Sequence, residues 1–270
     1  MNRFIVISIG TALWLSLAAF ELRAQSSEQE AASYINLGNK WLRQGEVARA
    51  ISTYNIALQF EPGSALAYFN RGCAHQRGGN LEEAIADYTR SLELDPERAE
   101  AYHNRGNLRG TLNDVDEAFA DYAAALRSDP RMKKVFYNRG NLRFLQGAIE
   151  GAISDFDRAI EGDPRYVMAL NNRGVAKQEN GDLPGALADF DRAIKIDPRH
   201  APAYANRGIA LLQVEKQAEA RRDLSRALAL KPSLRGFIEE RTAYAIQSRA
   251  ARSGVSAPPL VQKGNSDGSR

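Results

Sequence analysis

The sequence predicts an all-α solenoid of six helix-turn-helix units, closed by a C-terminal capping helix. Two series of residues predict it. Glycine stands at Gly38, Gly72, Gly106, Gly140, Gly174 and Gly208, and proline at Pro62, Pro96, Pro130, Pro164, Pro198 and Pro232, both with an unbroken period of 34. A helix pair of that length cannot bury its apolar face alone and gains a core only by stacking on its neighbours.

The third observation is the alternation of large and small side chains inside the period. Aligned on the glycine, the units run 31–64, 65–98, 99–132, 133–166, 167–200 and 201–234 without insertion. Their fourth places hold Tyr34, Tyr68, Tyr102, Phe136, Leu170 and Tyr204, and their twentieth Ala50, Ala84, Ala118, Ala152, Ala186 and Ala220. Their twenty-fourth places hold Tyr54, Tyr88, Tyr122, Phe156, Phe190 and Leu224. Interlocking helices need this mixture of bulk and close approach.

These residues together resemble the tetratricopeptide repeat (TPR), and the resemblance covers residues 31–234. It implies a right-handed α-solenoid of TPR units. Two departures are visible: the fourth place favours tyrosine over tryptophan, and the turn glycine of Gly45, Gly79, Gly147 and Gly181 gives way to Asn113 and Glu215.

Within each unit the first helix is expected over about the second to fourteenth places and the second over about the seventeenth to thirtieth, with proline closing the pair. Asn80 with Glu83 and Asp114 with Glu117 fit capping boxes, and Pro184 fits a first helical turn. Glycine in mid-helix costs ~1 kcal/mol relative to alanine, so six of them at the eighth place need a steric reason. Close approach to the bulky twenty-fourth residue supplies one. Arg71, Arg105, Arg139, Arg173 and Arg207 hold the seventh place, and Asp87, Asp121, Asp155, Asp189 and Asp223 the twenty-third. The first unit lacks both, having Leu37 and Thr53, which suggests an ion pair within each unit, worth ~0–1 kcal/mol if exposed.

The ends differ in composition from the repeats. Arg3, the uncharged apolar stretch from Phe4 to Phe20 and the following Leu22-Arg23-Ala24 read as an export signal over 1–24, cleaved after Ala24 or kept as an uncleaved anchor. Either way the repeats are expected outside the cytoplasm, periplasmic or secreted, with inner-membrane anchoring if the segment stays. Residues 25–30 form a short polar leader. Beyond the sixth unit, Phe237, Ile238, Tyr244, Ala245 and Ala251 recur at helical spacing, giving a capping helix over 235–252. Residues 253–270, rich in Gly, Ser, Pro and Asn, read as a disordered tail. One cysteine, Cys73, leaves no internal disulfide, and it reads as an inert small apolar residue. The net charge of +3 comes from 36 basic and 33 acidic residues that are interleaved, so charge does not point to nucleic acid.

Every sixth place is asparagine: Asn36, Asn70, Asn104, Asn138, Asn172 and Asn206. Asparagine is a poor helix former, so its recurrence in mid-helix needs a cause. The second, fifth, sixth, ninth and thirteenth places share one stripe of the first helix. The TPR resemblance implies that this stripe lines a concave groove and that its asparagines hydrogen-bond the main chain of an extended peptide. A carboxamide both donates and accepts, matching a peptide unit without reading side chains. The alternative is that these asparagines bond to neighbouring helices. Phe69, His103 and Tyr137 at the fifth place and Phe144 at the twelfth, beside Asn107 and Asn141, would make repeats two to four the richest surface. Partial burial between first helices is the competing reading for each aromatic. Arg43 and Arg77 against Glu179 suggest a groove basic at its amino-terminal end.

The carboxylate clamp of some relatives needs lysine at the fifth place, and no unit has it. No catalytic signal is present: His75, His103 and His200 are scattered, and there is no His-x-x-x-His, Cys-x-x-Cys or Gly-rich phosphate loop. The expectation is a non-enzymatic, cofactor-free and metal-free exported scaffold or adaptor that takes a protein or peptide partner in its groove. An envelope assembly factor for secretion, pilus or cell-wall machinery is the alternative within that class. Single-stranded nucleic acid binding is a weaker one, and regulation through the convex face another.

Overall fold

The computed structural model describes residue 23 and residues 25–253. The export segment 1–24 apart from Arg23, and the tail 253–270 apart from Ser253, lie outside the described residues.

The described chain is helix after helix. First helices are α1 (25–43), α3 (Ala65–Gly78), α5 (Ala99–Thr111), α7 (Lys133–Leu145), α9 (Val167–Glu179) and α11 (Ala201–Gln213). Second helices are α2 (Val47–Phe60), α4 (Leu81–Leu94), α6 (Val115–Ser128), α8 (Ile149–Gly162), α10 (Leu183–Ile196) and α12 (Gln217–Leu230). A 3-10 turn at Pro232–Leu234 then leads into α13 (Arg235–Ser253).

Two compact units divide the chain, one ending at Pro130 and the other beginning at Arg131. In the first, α3 packs on α4 and α5 on α6, while α2 meets α3 and α4 meets α5. In the second, α7 packs on α8, α9 on α10 and α11 on α12, and α13 lies against α11. Each unit is thus a stack of the same hairpin.

The alternation of sizes works as the spacing requires. All six alanines of the twentieth place are fully buried, as are Tyr54, Tyr88 and Phe190. The eighth-place glycines sit under the rings: a Cβ added at Gly140 would stand 2.9 Å from Phe156 Cε1, and one at Gly174 would stand 2.6 Å from Phe190 Cε1. No contact that close is tolerated without movement. At the hairpin turns, Asn113 (φ 68°) and Glu215 (φ 64°) take the left-handed conformation that glycine takes in four other units. The turn geometry therefore survives both replacements.

Helix starts are less uniform than the sequence suggested. The capping boxes expected at Asn80 and Asp114 do not form, since neither side chain bonds its helix. Asn80 Nδ2 is engaged with His75 Nδ1 at 3.3 Å instead. Asp182, which precedes Pro184 in the first turn of α10, does accept from the Gly185 N–H at 2.9 Å.

The arginine and aspartate series pair within units, as Arg139 Nε and Nη2 show by donating to Asp155 at 2.9 and 2.7 Å. Two features go beyond the expectation. The carboxylates are buried, with side-chain exposure of 2% at Asp155 and 3% at Asp121 and Asp189, so the weak exposed-pair value does not apply. A second cation at the eleventh place joins each of these carboxylates: Arg109 on Asp121, Arg143 on Asp155 and Lys177 on Asp189. The remaining arm of the arginine also reaches the preceding repeat, Arg173 Nη1 to Asp157 at 2.6 Å and Arg207 Nη1 to Asp191 at 2.6 Å. A fixed guanidinium fork thereby ties three helices together.

Candidate functional site

The second unit contains a pocket of about 600 Å³ walled by the first helices of repeats four to six and by α13. Helical spacing explains its lining. Asn141, Phe144 and Leu145 leave α7 on one face; Asn171, Asn172, Val175, Gln178 and Glu179 do so from α9. Asn206 and Ile209 come from α11, and Phe237, Glu240 and Arg241 from α13.

A chain of carboxamides crosses this wall. Asn206 Nδ2 donates to Asn171 Oδ1 at 3.0 Å, Asn171 Nδ2 to Asn172 Oδ1 at 3.0 Å, and Asn172 Nδ2 to Asn141 Oδ1 at 2.8 Å. Asn172 Nδ2 also lies 3.2 Å from Tyr137 Oη. Three helices are linked by one direction of donation, which leaves the Asn141 N–H groups at one end and the Asn206 carbonyl at the other outside the relay. The sixth-place asparagines therefore do bond neighbouring helices here, and each bond presets a side chain that still borders the pocket.

One substitution sets the ninth place of repeat four apart. In the first unit the ninth-place residue meets the hydroxyl of the twenty-fourth-place tyrosine: Tyr54 Oη donates to Asn39 at 2.6 Å, Tyr122 Oη donates to Asn107 at 2.8 Å, and Tyr88 Oη lies 3.5 Å from Cys73 Sγ. Phe156 has no hydroxyl, so no phenol competes with Asn172 for the Asn141 carbonyl. Repeats five and six pair Phe190 and Leu224 with the apolar ninth-place residues Val175 and Ile209. The pocket is apolar where no hydroxyl needs a partner.

The other expected residues are placed differently. Phe69 tilts against Tyr88 with centroids 5.8 Å apart, and Tyr137 packs against Phe156 and Tyr166. His103 is buried and stands 3.2 Å from Asn107 Nδ2, while half-buried Asn107 accepts from Tyr122 Oη at 2.8 Å. Asn104 Nδ2 approaches Tyr88 Oη at 3.5 Å and Cys73 Sγ at 3.7 Å. Burial pushes the Cys73 thiol up, against the opposing bonds from Tyr88 and Asn104. Asn36 is exposed, while Asn70 and Asn138 are half-buried. Arg77 Nη1 donates to the Leu42 carbonyl at 2.5 Å, which leaves its charge in place, and Glu179 pairs with Arg241 at 2.5 Å. Asn141 and Phe144, expected from the sequence, border the pocket in repeats four to six.

The Tetratricopeptide repeat description attaches to family profiles that match residues 65–98, 103–167, 167–200 and 190–222, more than half of the chain. The chain belongs to the tetratricopeptide repeat family.

Solved TPR structures share the fold. YrrB, a TPR protein with an unusual peptide-binding site, is 27% identical over 66% of this chain and 92% of its own, with a TM-score of 0.57. A tetratricopeptide repeat protein from Parabacteroides merdae is 22% identical over 83% of this chain and 93% of its own, with a TM-score of 0.63. Pseudomonas aeruginosa pilF is 20% identical over 77% of this chain and 94% of its own, with a TM-score of 0.69. No curated protein matches the chain.

TPR arrays are interaction folds, and the repeats make this chain a protein–protein interaction scaffold. Its histidines serve packing: His75 faces Asn80 and Asp87, His103 faces Asn107, and His200 faces Asp197. Among the described residues no group of three or more His, Cys, Asp or Glu is placed to hold a metal, and no helix is long and apolar enough to cross a membrane.

Proposed function

We propose that this TPR chain is an exported scaffold that binds an extended segment of a protein partner in the groove walled by α7, α9, α11 and α13. The observation that carries the reading is the carboxamide relay from Asn206 to Asn141 bordering an apolar pocket. A peptide main chain needs both donors and acceptors, and the relay ends on one of each. The likeness to YrrB, with its peptide-binding site, supports the same use of the fold. A partner is gripped by its backbone at the relay and by apolar side chains in the pocket.

The test is a photocrosslinker at position 172, installed in the full chain in cells. A discrete partner should be caught there, and the same probe at Glu93, which is exposed on α4, should catch none. Identical capture from both positions would sink the groove reading. Export rests on the apolar stretch behind Arg3, which also favours an envelope assembly role as the narrower form of the reading. Recovery of the chain in the cytoplasmic fraction would remove both.

A further inference from the structure

The part of the pocket contributed by α13 has a chemistry that narrows the partner. Phe144, Val175, Ile209 and Phe237 form an apolar surface, and Leu145 beside them is 77% exposed and Phe237 43% exposed. Single exposed apolar side chains are ordinary, but a cluster around a cavity of about 600 Å³ has the size and character of a ligand site. At the rim stand Glu179, Glu240 and Arg241. Arg241 Nη2 is held by Glu179 Oε1 at 2.5 Å, so this cation is already matched, and exposed Glu240 leaves the rim with one net negative charge.

Spacing sets the register of a ligand that satisfies both features. Neighbouring helices pack ~8–10 Å apart, the span of about three residues of extended chain at ~3.3 Å each. Since α13 lies against α11, a main chain laid across the relay with a side chain over Ile209 brings another, about three residues away, to the α13 rim. We propose, resting on the groove reading above, that the pocket selects an extended segment of a partner protein in which one or two bulky apolar residues lie about three residues from a lysine or arginine. The apolar side chains fill the pocket over Val175 and Phe237, the main chain meets the relay, and the cation pairs with Glu240.

The experiment is fluorescence anisotropy on the full chain with fluorescein-labelled, end-blocked ten-residue peptides in a Gly-Ser background. One peptide carries Phe and Leu at alternate positions and Lys three residues on; the second replaces Lys by Glu; the third replaces Phe and Leu by Ser. The first should bind best, and the serine peptide should lose at least about tenfold, as does the first peptide on the Phe237→Ala protein. The Glu peptide should bind about three- to fivefold more weakly at low salt, the difference fading as salt rises. Glu240→Lys should invert the order of the Lys and Glu peptides, an outcome that loss of folding cannot mimic. An order unchanged by Glu240→Lys, or equal binding of the apolar and serine peptides, overturns the proposal.

Other occupants give other results. Binding seen only after removal of residues 254–270 would assign the pocket to this chain's own end, and a dimer in sedimentation that Phe237→Ala abolishes would assign it to a second copy; each overturns the proposal. If no peptide binds while position 172 still captures a partner, the stated chemistry is wrong and the groove reading stands. If position 172 captures nothing either, both fall.

Discussion

Asn141 Oδ1 accepts from Asn172 Nδ2 at 2.8 Å, above a ring, Phe156, that carries no hydroxyl to compete for it. In the third repeat the same ninth-place carbonyl is taken by Tyr122 Oη at 2.8 Å. Phe156→Tyr should bring a competing hydroxyl to Asn141 and weaken the link between α7 and α9. Its thermal stability should change by no more than ~1 kcal/mol, the net value of one exchanged hydrogen bond. Peptide binding at the pocket should weaken several-fold, read by anisotropy; retention of full affinity would show that the relay does not orient the ligand.

Asp189 is the second place where a small change should have a large effect. Its carboxylate is 3% exposed and accepts from Arg173 and Lys177. Asp189→Ala would leave Lys177 without its anion and Arg173 with Asp157 alone, at a cost of about 3 kcal/mol. Asp157, 45% exposed and on the other arm of Arg173, should cost under ~1 kcal/mol when replaced by alanine. Urea denaturation followed by circular dichroism separates the two, and equal midpoints would contradict the buried-charge argument.

Gly140 has its steric reason in Phe156, whose Cε1 would lie 2.9 Å from an added Cβ. Helix propensity alone favours Gly140→Ala by ~1 kcal/mol, whereas overpacking costs ~1–3 kcal/mol. The clash should win, lowering the melting temperature, and Gly140→Leu should disrupt the fourth repeat. A Gly140→Leu protein that melted like the parent would dismiss the close-approach explanation.

Glu215 stands at φ 64°, a conformation that costs an L-residue roughly 1–2 kcal/mol and glycine almost nothing. Glu215→Gly should therefore stabilise the sixth hairpin by about 0.5–1 kcal/mol after the added chain entropy of glycine is counted. Gly181→Ala, at φ 84°, should do the reverse. Paired denaturation curves check the sign.

Tyr54, Tyr122 and Tyr166 connect the core to pH. Burial pushes each phenol up to about 12 from an ordinary 10.0. The raised group keeps its proton in the folded state while the unfolded chain loses it, so stability is intact below pH 10 and falls as pH climbs towards 12. Each contributes at most about 2 kcal/mol over that window. Ultraviolet titration of phenolate absorbance should show a late, cooperative phase above pH 11 that vanishes in urea; early titration of all ten tyrosines would refute it.

Much of this was open to reading from the residues. The period of 34 fixes helix pairing because each hairpin meets only its neighbours, so the same local constraint is written six times: glycine under a ring, alanine between helices, arginine beside aspartate. The second cation on three of the buried carboxylates was legible too, at the eleventh place as Arg109, Arg143 and Lys177, once the aspartate is known to be buried rather than exposed. The signal for the pocket was fainter. It lies in the shift from tyrosine with a polar ninth place to phenylalanine or leucine with Val175 or Ile209, which means something only if those two places touch.

The sequence by itself determined the helical hairpins, their register and the stripe that carries the asparagines, since these follow from contacts at fixed short separations. The tertiary structure alone decided which carboxamides join into a relay, that His103 is buried, and that Arg241 reaches Glu179 across 62 residues. Periodicity cannot report such features, because they depend on places where the repeats differ, such as the fifth and ninth, and on α13, which has no counterpart among the described repeats.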